Sequence, residues 1–109
     1  MQKEQEWNLS HMASVMREQL TEIPTDELNR MTSELVSSRE IICHIRETEN
    51  KVKLWLVYDE VPTSKTDGYL IVFDPQKRQF GLAVKSKRPG REYTFLDLYG
   101  TFKEALHSM

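Results

Sequence analysis

Apolar residues in the first third of the chain recur at spacings of three and four. This period of about 3.6 residues predicts an amphipathic helix, with an inward stripe formed by Leu9, Met12, Met16 and Leu20. Asn8 or Ser10 is suited to cap its start. We expect Pro24 to end it, because proline disfavours the helical conformation in the residue before it.

A second helical pattern begins directly after Pro24. Asp26 and Glu27 fall in its first turn, where the helix dipole favours acidic side chains. Its apolar stripe is Leu28, Met31 and Leu35, and the polar segment SSRE at 37–40 is predicted to close it.

From residue 41 the apolar residues alternate with polar ones, which is typical of strands. The pattern predicts five strands, at residues 41–47, 52–58, 69–74, 79–85 and 93–99. The segment DPQK at 74–77 places aspartate and proline where a type I turn prefers them. Thr101 and Glu104 form a capping box that predicts a short C-terminal helix.

Simple hairpins between these strands give a definite register, in which opposed residues share a face. Phe73 then opposes Phe80, Leu82 opposes Leu96, and Leu56 opposes Cys43. This register predicts one strongly apolar face, composed of Ile41, Cys43, Ile45, Val52, Leu54, Leu56, Ile71, Phe73, Phe80, Leu82, Leu96 and Leu98. A slip of one residue would move a strand's apolar set to the other face.

The predicted fold is therefore α+β, in one domain that spans residues 1–109. Two N-terminal helices pack on one face of a five-stranded antiparallel meander sheet, and a short C-terminal helix follows. Residues 1–9 are interpreted as a flexible N-terminal extension of this domain.

The second face of the predicted sheet is mixed rather than polar. It carries Trp55, Tyr93 and Phe95 beside the small residues Gly81 and Ala83. Two interpretations stay open. The aromatic rings lie across the small residues and the C-terminal helix covers part of the face, or the face is an interface for a partner or a second copy.

The charge is unevenly distributed along the chain. The net charge is −2, yet residues 1–50 hold five basic and ten acidic residues, whereas residues 51–109 hold ten and seven. Four cations, Lys85, Lys87, Arg88 and Arg91, stand close together around the last hairpin connection. Such a loop is usually a solvated turn. The alternative is that its arginines meet carboxylates or phosphates.

The sequence contains no pattern typical of a catalytic or metal site. Cys43 is the single cysteine and is interpreted as a core residue, and the three histidines are scattered along the chain. The sequence has no nucleophile elbow, no phosphate-binding glycine loop and no HExxH. We therefore expect no metal, no cofactor and no enzymatic activity.

The N-terminal segment is polar, and the longest apolar runs are too short to span a bilayer. We expect a cytoplasmic protein with no membrane contact. The functional hypothesis is a small binding or regulatory module that acts by protein–protein interaction, such as an inhibitor or immunity-type protein. Its predicted contact surface is Trp55, Lys85, Lys87, Arg88, Arg91, Tyr93 and Phe95.

Three alternatives compete with this hypothesis. The first is a nucleic-acid-binding module that uses the same aromatics and cations, which the acidic balance disfavours. The second is a small enzyme or ligand carrier, which requires a concave pocket with convergent polar groups. The third is a homodimer formed through the second sheet face or through the edge strand 93–99.

Overall fold

The strands and helices follow the predicted order along the chain. The computed structural model describes residues 7–46, 48–60, 68–85, 89–90 and 92–109, apart from the side chain of Ser33. In these residues the elements are α1 (Leu9–Leu20), α2 (Thr25–Met31), a 3-10 turn (Thr32–Glu34), β1 (Leu35–Ile45), β2 (Lys51–Asp59), β3 (Tyr69–Asp74), β4 (Gln79–Lys85), β5 (Tyr93–Gly100) and α3 (Phe102–Leu106).

Strand β1 begins earlier than the alternation predicts. The segment 37–40 was predicted to close the second helix, but it lies inside β1, so that prediction is wrong. Leu35 pairs with Tyr58 and Arg39 pairs with Leu56. The backbone groups of this segment therefore find their partners on β2 rather than within a helix.

The sheet closes into a barrel, with the strand order β1-β2-β3-β4-β5. The predicted open antiparallel meander is wrong in this respect. Neighbouring strands run antiparallel, and with an odd number of them the first and last point the same way. The closing pair must therefore be parallel, and β1 meets β5 through His44–Thr94 and Ile45–Phe95. We call this short parallel pair the seam.

The register agrees with prediction between β3 and β4. In the other antiparallel pairs it departs from prediction at some positions, since Cys43 pairs with Val52 rather than with Leu56, and Leu82 pairs with Asp97 rather than with Leu96. Phe73 pairs with Phe80 as predicted. Between β2 and β3, however, Trp55 pairs with Phe73, and an irregularity separates the Leu56 and Tyr58 pairs. The predicted single apolar face is therefore wrong. Of the residues predicted to share that face, those of β1 and β2 lie on one side of the sheet and those of β3 and β4 lie on the other.

Two apolar clusters result, one on each side of the sheet. The inner cluster fills the barrel and contains Ile41, Cys43, Leu54, Leu56, Leu70, Val72 and Ala83, with Tyr93 and Phe95 packed against it. The outer cluster is shared with the helices and contains Met12, Ile23, Met31, Trp55, Val57, Tyr58, Ile71, Phe73, Phe80, Leu82, Phe102 and Ala105. Because the helices contribute only to the outer cluster, the inner cluster must be the barrel interior.

Helix α3 is central to the outer cluster. Phe102 is completely buried, and its ring lies 5.7 Å from that of Phe80 and 6.4 Å from that of Tyr58. The sequence predicted that the two N-terminal helices cover the apolar face, and in the structure α3 covers it together with them. The backbone N–H of Phe102 donates to Gln19 Oε1 at 3.0 Å, which ties α3 to α1.

The first and the last helix each begin with a capping box. Thr101 and Glu104 cap α3, as the sequence predicts. Asn8 and His11 cap α1 in the same reciprocal way. Residues 7–9, assigned to the predicted extension, thus take part in the packed structure, while residues 1–6 lie outside the described residues.

Candidate functional site

A groove of about 1110 Å³ lies on the outer side of the barrel. It is bounded by residues that precede α1, by the outer face of β2 and by the turn between β3 and β4. Trp7 and Trp55, the only two tryptophans of the sequence, both line it. We call this concavity the tryptophan groove.

Strand β2 supplies the floor of the tryptophan groove. Side chains alternate along a strand, so Lys51, Lys53 and Trp55 project from one face. On β1, Ile42 pairs with Lys53, and its side chain is 55% exposed. The outer surface of β1 and β2 is thus open around Ile42 and Lys53, whereas Val57, further along β2, is buried in the outer cluster.

Trp7 forms one wall of the groove. Its ring lies 4.9 Å from that of His11 and 5.5 Å from that of Phe73. The Arg78 guanidinium carbon lies 5.4 Å from the centre of the Trp7 ring, a cation–π arrangement. The indole Nε1 is buried and finds no hydrogen-bond partner in the part of the chain that the structure describes.

The turn between β3 and β4 places Arg78 against Trp7. Asp74 Oδ1 accepts hydrogen bonds from the backbone N–H groups of Gln76, at 2.9 Å, and Lys77, at 3.4 Å. Arg78 itself has a positive φ of 54°. The two hydrogen bonds satisfy acceptor positions of the Asp74 carboxylate and stabilise the turn that carries Arg78.

The groove carries excess positive charge in an acidic chain. Its charged side chains are Lys51, Lys53, Arg78, Glu40 and Asp74, and the net charge of the chain is −2. Among the described residues, none of the three cations forms an ion pair. Within that part of the chain, a ligand can therefore pair with Lys51 or Lys53 without breaking an ion pair.

The structure separates the contact residues predicted from the sequence. Trp55 is 6% exposed and belongs to the outer cluster, whereas Tyr93 and Phe95 pack on the inner one. Lys85 Nζ lies 2.8 Å from Asp59 Oδ1 in an ion pair at one end of the barrel. Three further predicted residues, Lys87, Arg88 and Arg91, lie outside the described residues. The predicted residues that the structure describes therefore do not form one surface.

Trp7 and Arg78 belong to the groove but were not in the predicted surface. One sequence signal for Trp7 exists, because it directly precedes the N-cap Asn8. An apolar residue at that position often packs against the fourth helical residue, here Met12. Both Trp7 and Met12 contribute to the outer cluster.

Among the described residues, two groups have shifted pKa values, and neither is suited to nucleophilic chemistry. Burial raises the pKa of the Cys43 thiol from 9.0 to about 12. Burial, followed by the nearby carboxylates of Glu34 and Glu60, raises the pKa of Tyr58 to about 12. Both groups are therefore neutral at physiological pH. No group of three or more potential metal ligands converges in the described residues.

We expect Cys43 to react slowly with iodoacetamide at pH 8. The thiolate is the nucleophile, and a pKa raised from 9.0 to about 12 lowers its population roughly 1000-fold. Because a thiolate of higher pKa is also more nucleophilic, alkylation should be at least about ten-fold slower in the native protein than in the urea-unfolded chain. Glutathione in the same buffers controls for reagent effects, and native and unfolded rates within ten-fold of each other would contradict a buried thiol.

Comparison of the chain with protein-family models, curated proteins and solved structures gives no match. None of the helices among the described residues has the length and apolarity needed to cross a membrane. The functional argument therefore depends on the groove itself.

Proposed function

We propose that this protein is a binding module that acts by contact with another protein, and that the partner docks in the tryptophan groove. The observation that carries the proposal is a set of three cations, Lys51, Lys53 and Arg78, which form no ion pair within the described residues and line one concavity with two tryptophans. The proposal includes the narrower hypothesis of an inhibitor or immunity-type protein.

The chemistry of these side chains supports a protein partner. Tryptophan and arginine dominate the binding energy of many protein interfaces when they lie in desolvated pockets. The Arg78 guanidinium is already stacked on Trp7, so less conformational entropy is lost when it binds a carboxylate. The lysines project from a paired strand, so the floor of the groove is preorganised.

A nucleic-acid partner is the weaker candidate. That hypothesis required Tyr93 and Phe95 as a stacking platform, but both pack against the barrel interior. Glu40 and Asp74 also line the groove and would repel a continuous row of phosphates. A protein partner can place its carboxylates only where the cations lie.

Affinity capture with a matched pair of variants tests the proposal. Lys53→Glu reverses a charge in the groove, and Lys103→Glu makes the same change on the exposed surface of α3. We expect wild type and Lys103→Glu to retain the same partner. Lys53→Glu should reduce the amount of partner that is retained at least about ten-fold, because one charge-assisted contact is lost.

Folding of each variant is checked first by circular dichroism and urea unfolding. Identical partners and recoveries for wild type and folded Lys53→Glu would refute docking in the groove. Capture that is abolished by nuclease treatment would instead favour nucleic acid.

A further inference from the structure

We infer that the tryptophan groove recognises an extended acidic segment whose carboxylates stand two residues apart. This inference rests on the proposed function and names the chemical class of the partner. It follows from the spacing of the cations on β2, from the open surface beside them and from the carboxylates that flank the groove.

The spacing of the two lysines matches the repeat of an extended peptide. Lys51 and Lys53 lie two positions apart on one face of β2, which separates their Cα atoms by about 6.6 Å. An extended segment has the same repeat, so its residues i and i+2 point toward the same surface. Acidic residues at i and i+2 therefore meet both ammonium groups at once, whereas adjacent acidic residues present only one of their side chains.

The surface around the lysines can receive a segment laid along β2. Both lysines are exposed, and Ile42, across from Lys53 on β1, is 55% exposed. At the other end, Trp55 follows Lys53 on the same face, and the Arg78 guanidinium stands over Trp7. Arg78 thus supplies a third cation for a carboxylate further along the same segment.

Glu40, an acidic residue of the groove, favours ligands whose acidic residues are separated over ligands with a charge at every position. Glu40 pairs with Trp55 on the neighbouring strand and has no ion-pair partner among the described residues. A ligand with charge at every position brings a carboxylate or phosphate close to Glu40, and like charges repel. A segment with uncharged residues between its carboxylates carries less negative charge past Glu40 and is repelled less.

Two heptapeptides of identical composition test the inference. One is Ser-Glu-Ser-Glu-Ser-Glu-Ser, with alternating glutamates, and the other is Ser-Glu-Glu-Ser-Ser-Glu-Ser, in which no two glutamates stand two residues apart. Intrinsic tryptophan fluorescence is the readout, because both tryptophans of the chain line the groove. We expect the alternating peptide to bind at least about ten-fold more tightly, the effect of one additional charge-assisted contact.

Three charge-neutralising variants locate the binding. Lys51→Gln and Lys53→Gln should each weaken the alternating peptide about ten-fold, by loss of one ionic contact. Lys103→Gln, on α3, should leave its affinity unchanged. Equal affinity for the two peptides, or affinities insensitive to Lys51→Gln and Lys53→Gln, would overturn the inference. Tighter binding of an oligothymidylate than of the alternating peptide would overturn it in favour of a phosphate ligand.

The inference and the proposed function fail in distinguishable ways. If Lys53→Glu loses the captured partner while the peptides do not differ, the groove binds a protein through another pattern, and only the inference is wrong. If Lys53→Glu leaves capture of the partner unchanged and neither peptide binds, the inference and the proposed function are both wrong.

Discussion

Replacing Phe102 by alanine is expected to lower the free energy of unfolding by about 3–5 kcal/mol, the usual effect of truncating a buried aromatic side chain. Phe102 is fully buried and its ring contacts those of Phe80 and Tyr58. Truncation removes this packing and leaves a cavity where α3 meets the sheet. Because small domains are stable by only about 5–15 kcal/mol, the loss should be evident in urea unfolding curves.

Two further variants test whether the loss of stability comes from the buried aromatic side chain of Phe102. Phe102→Leu keeps most of the apolar volume and should lose markedly less stability than Phe102→Ala. Lys103→Ala, at the next and exposed position, should change stability by no more than about 0.5 kcal/mol. A loss below about 1 kcal/mol for Phe102→Ala would show that α3 is not a structural part of the outer cluster.

Replacing Gly81 by alanine is expected to destabilise the protein by about 1–3 kcal/mol, although alanine is normally the better strand residue. A Cβ at Gly81 would clash with the carbonyl oxygen of Asp97 and would lie 3.1 Å from the Cα of Leu98. Both are backbone atoms, so β5 itself must move. Thermal or urea unfolding measures the effect.

The exposed turn at Gly90 provides the comparison for Gly81. An added Cβ at Gly90 would meet nothing within 4 Å, but the backbone has a φ of +75°. Gly90→Ala should therefore cost only about 1 kcal/mol of conformational strain. If Gly81→Ala were as stable as wild type, the close approach of β4 and β5 would not exist in solution.

Contacts between segments joined by a short turn were predictable from the sequence, whereas contacts between distant segments were not. The β3–β4 register was correct because the DPQK turn is short and fixes it. The β2–β3 register was wrong because a long connection does not fix register and β2 is irregular near Val57. Closure of the barrel joins strands that lie half the chain apart, and no local pattern specifies such a contact.

The same limit applies to the candidate site, in which relations within one strand were predictable and contacts between distant segments were not. Alternation correctly placed Lys53 and Trp55 on one face, because that relation lies within a single strand. Grouping Trp55 with Tyr93 and Phe95 required the register across three further strands, and the slip between β2 and β3 reversed it. The stacking of Arg78 on Trp7 joins an N-terminal residue to a distant turn, and sequence patterns carry no signal for it.

The short parallel seam has a consequence for the order of folding. Each hairpin of the barrel brings together segments that are neighbours in sequence, so little chain entropy is lost when it forms. The seam has only two register pairs and must close a loop that contains β2, β3 and β4. Its closure should therefore follow the assembly of the hairpins, as a late step that the existing curvature of the sheet makes possible.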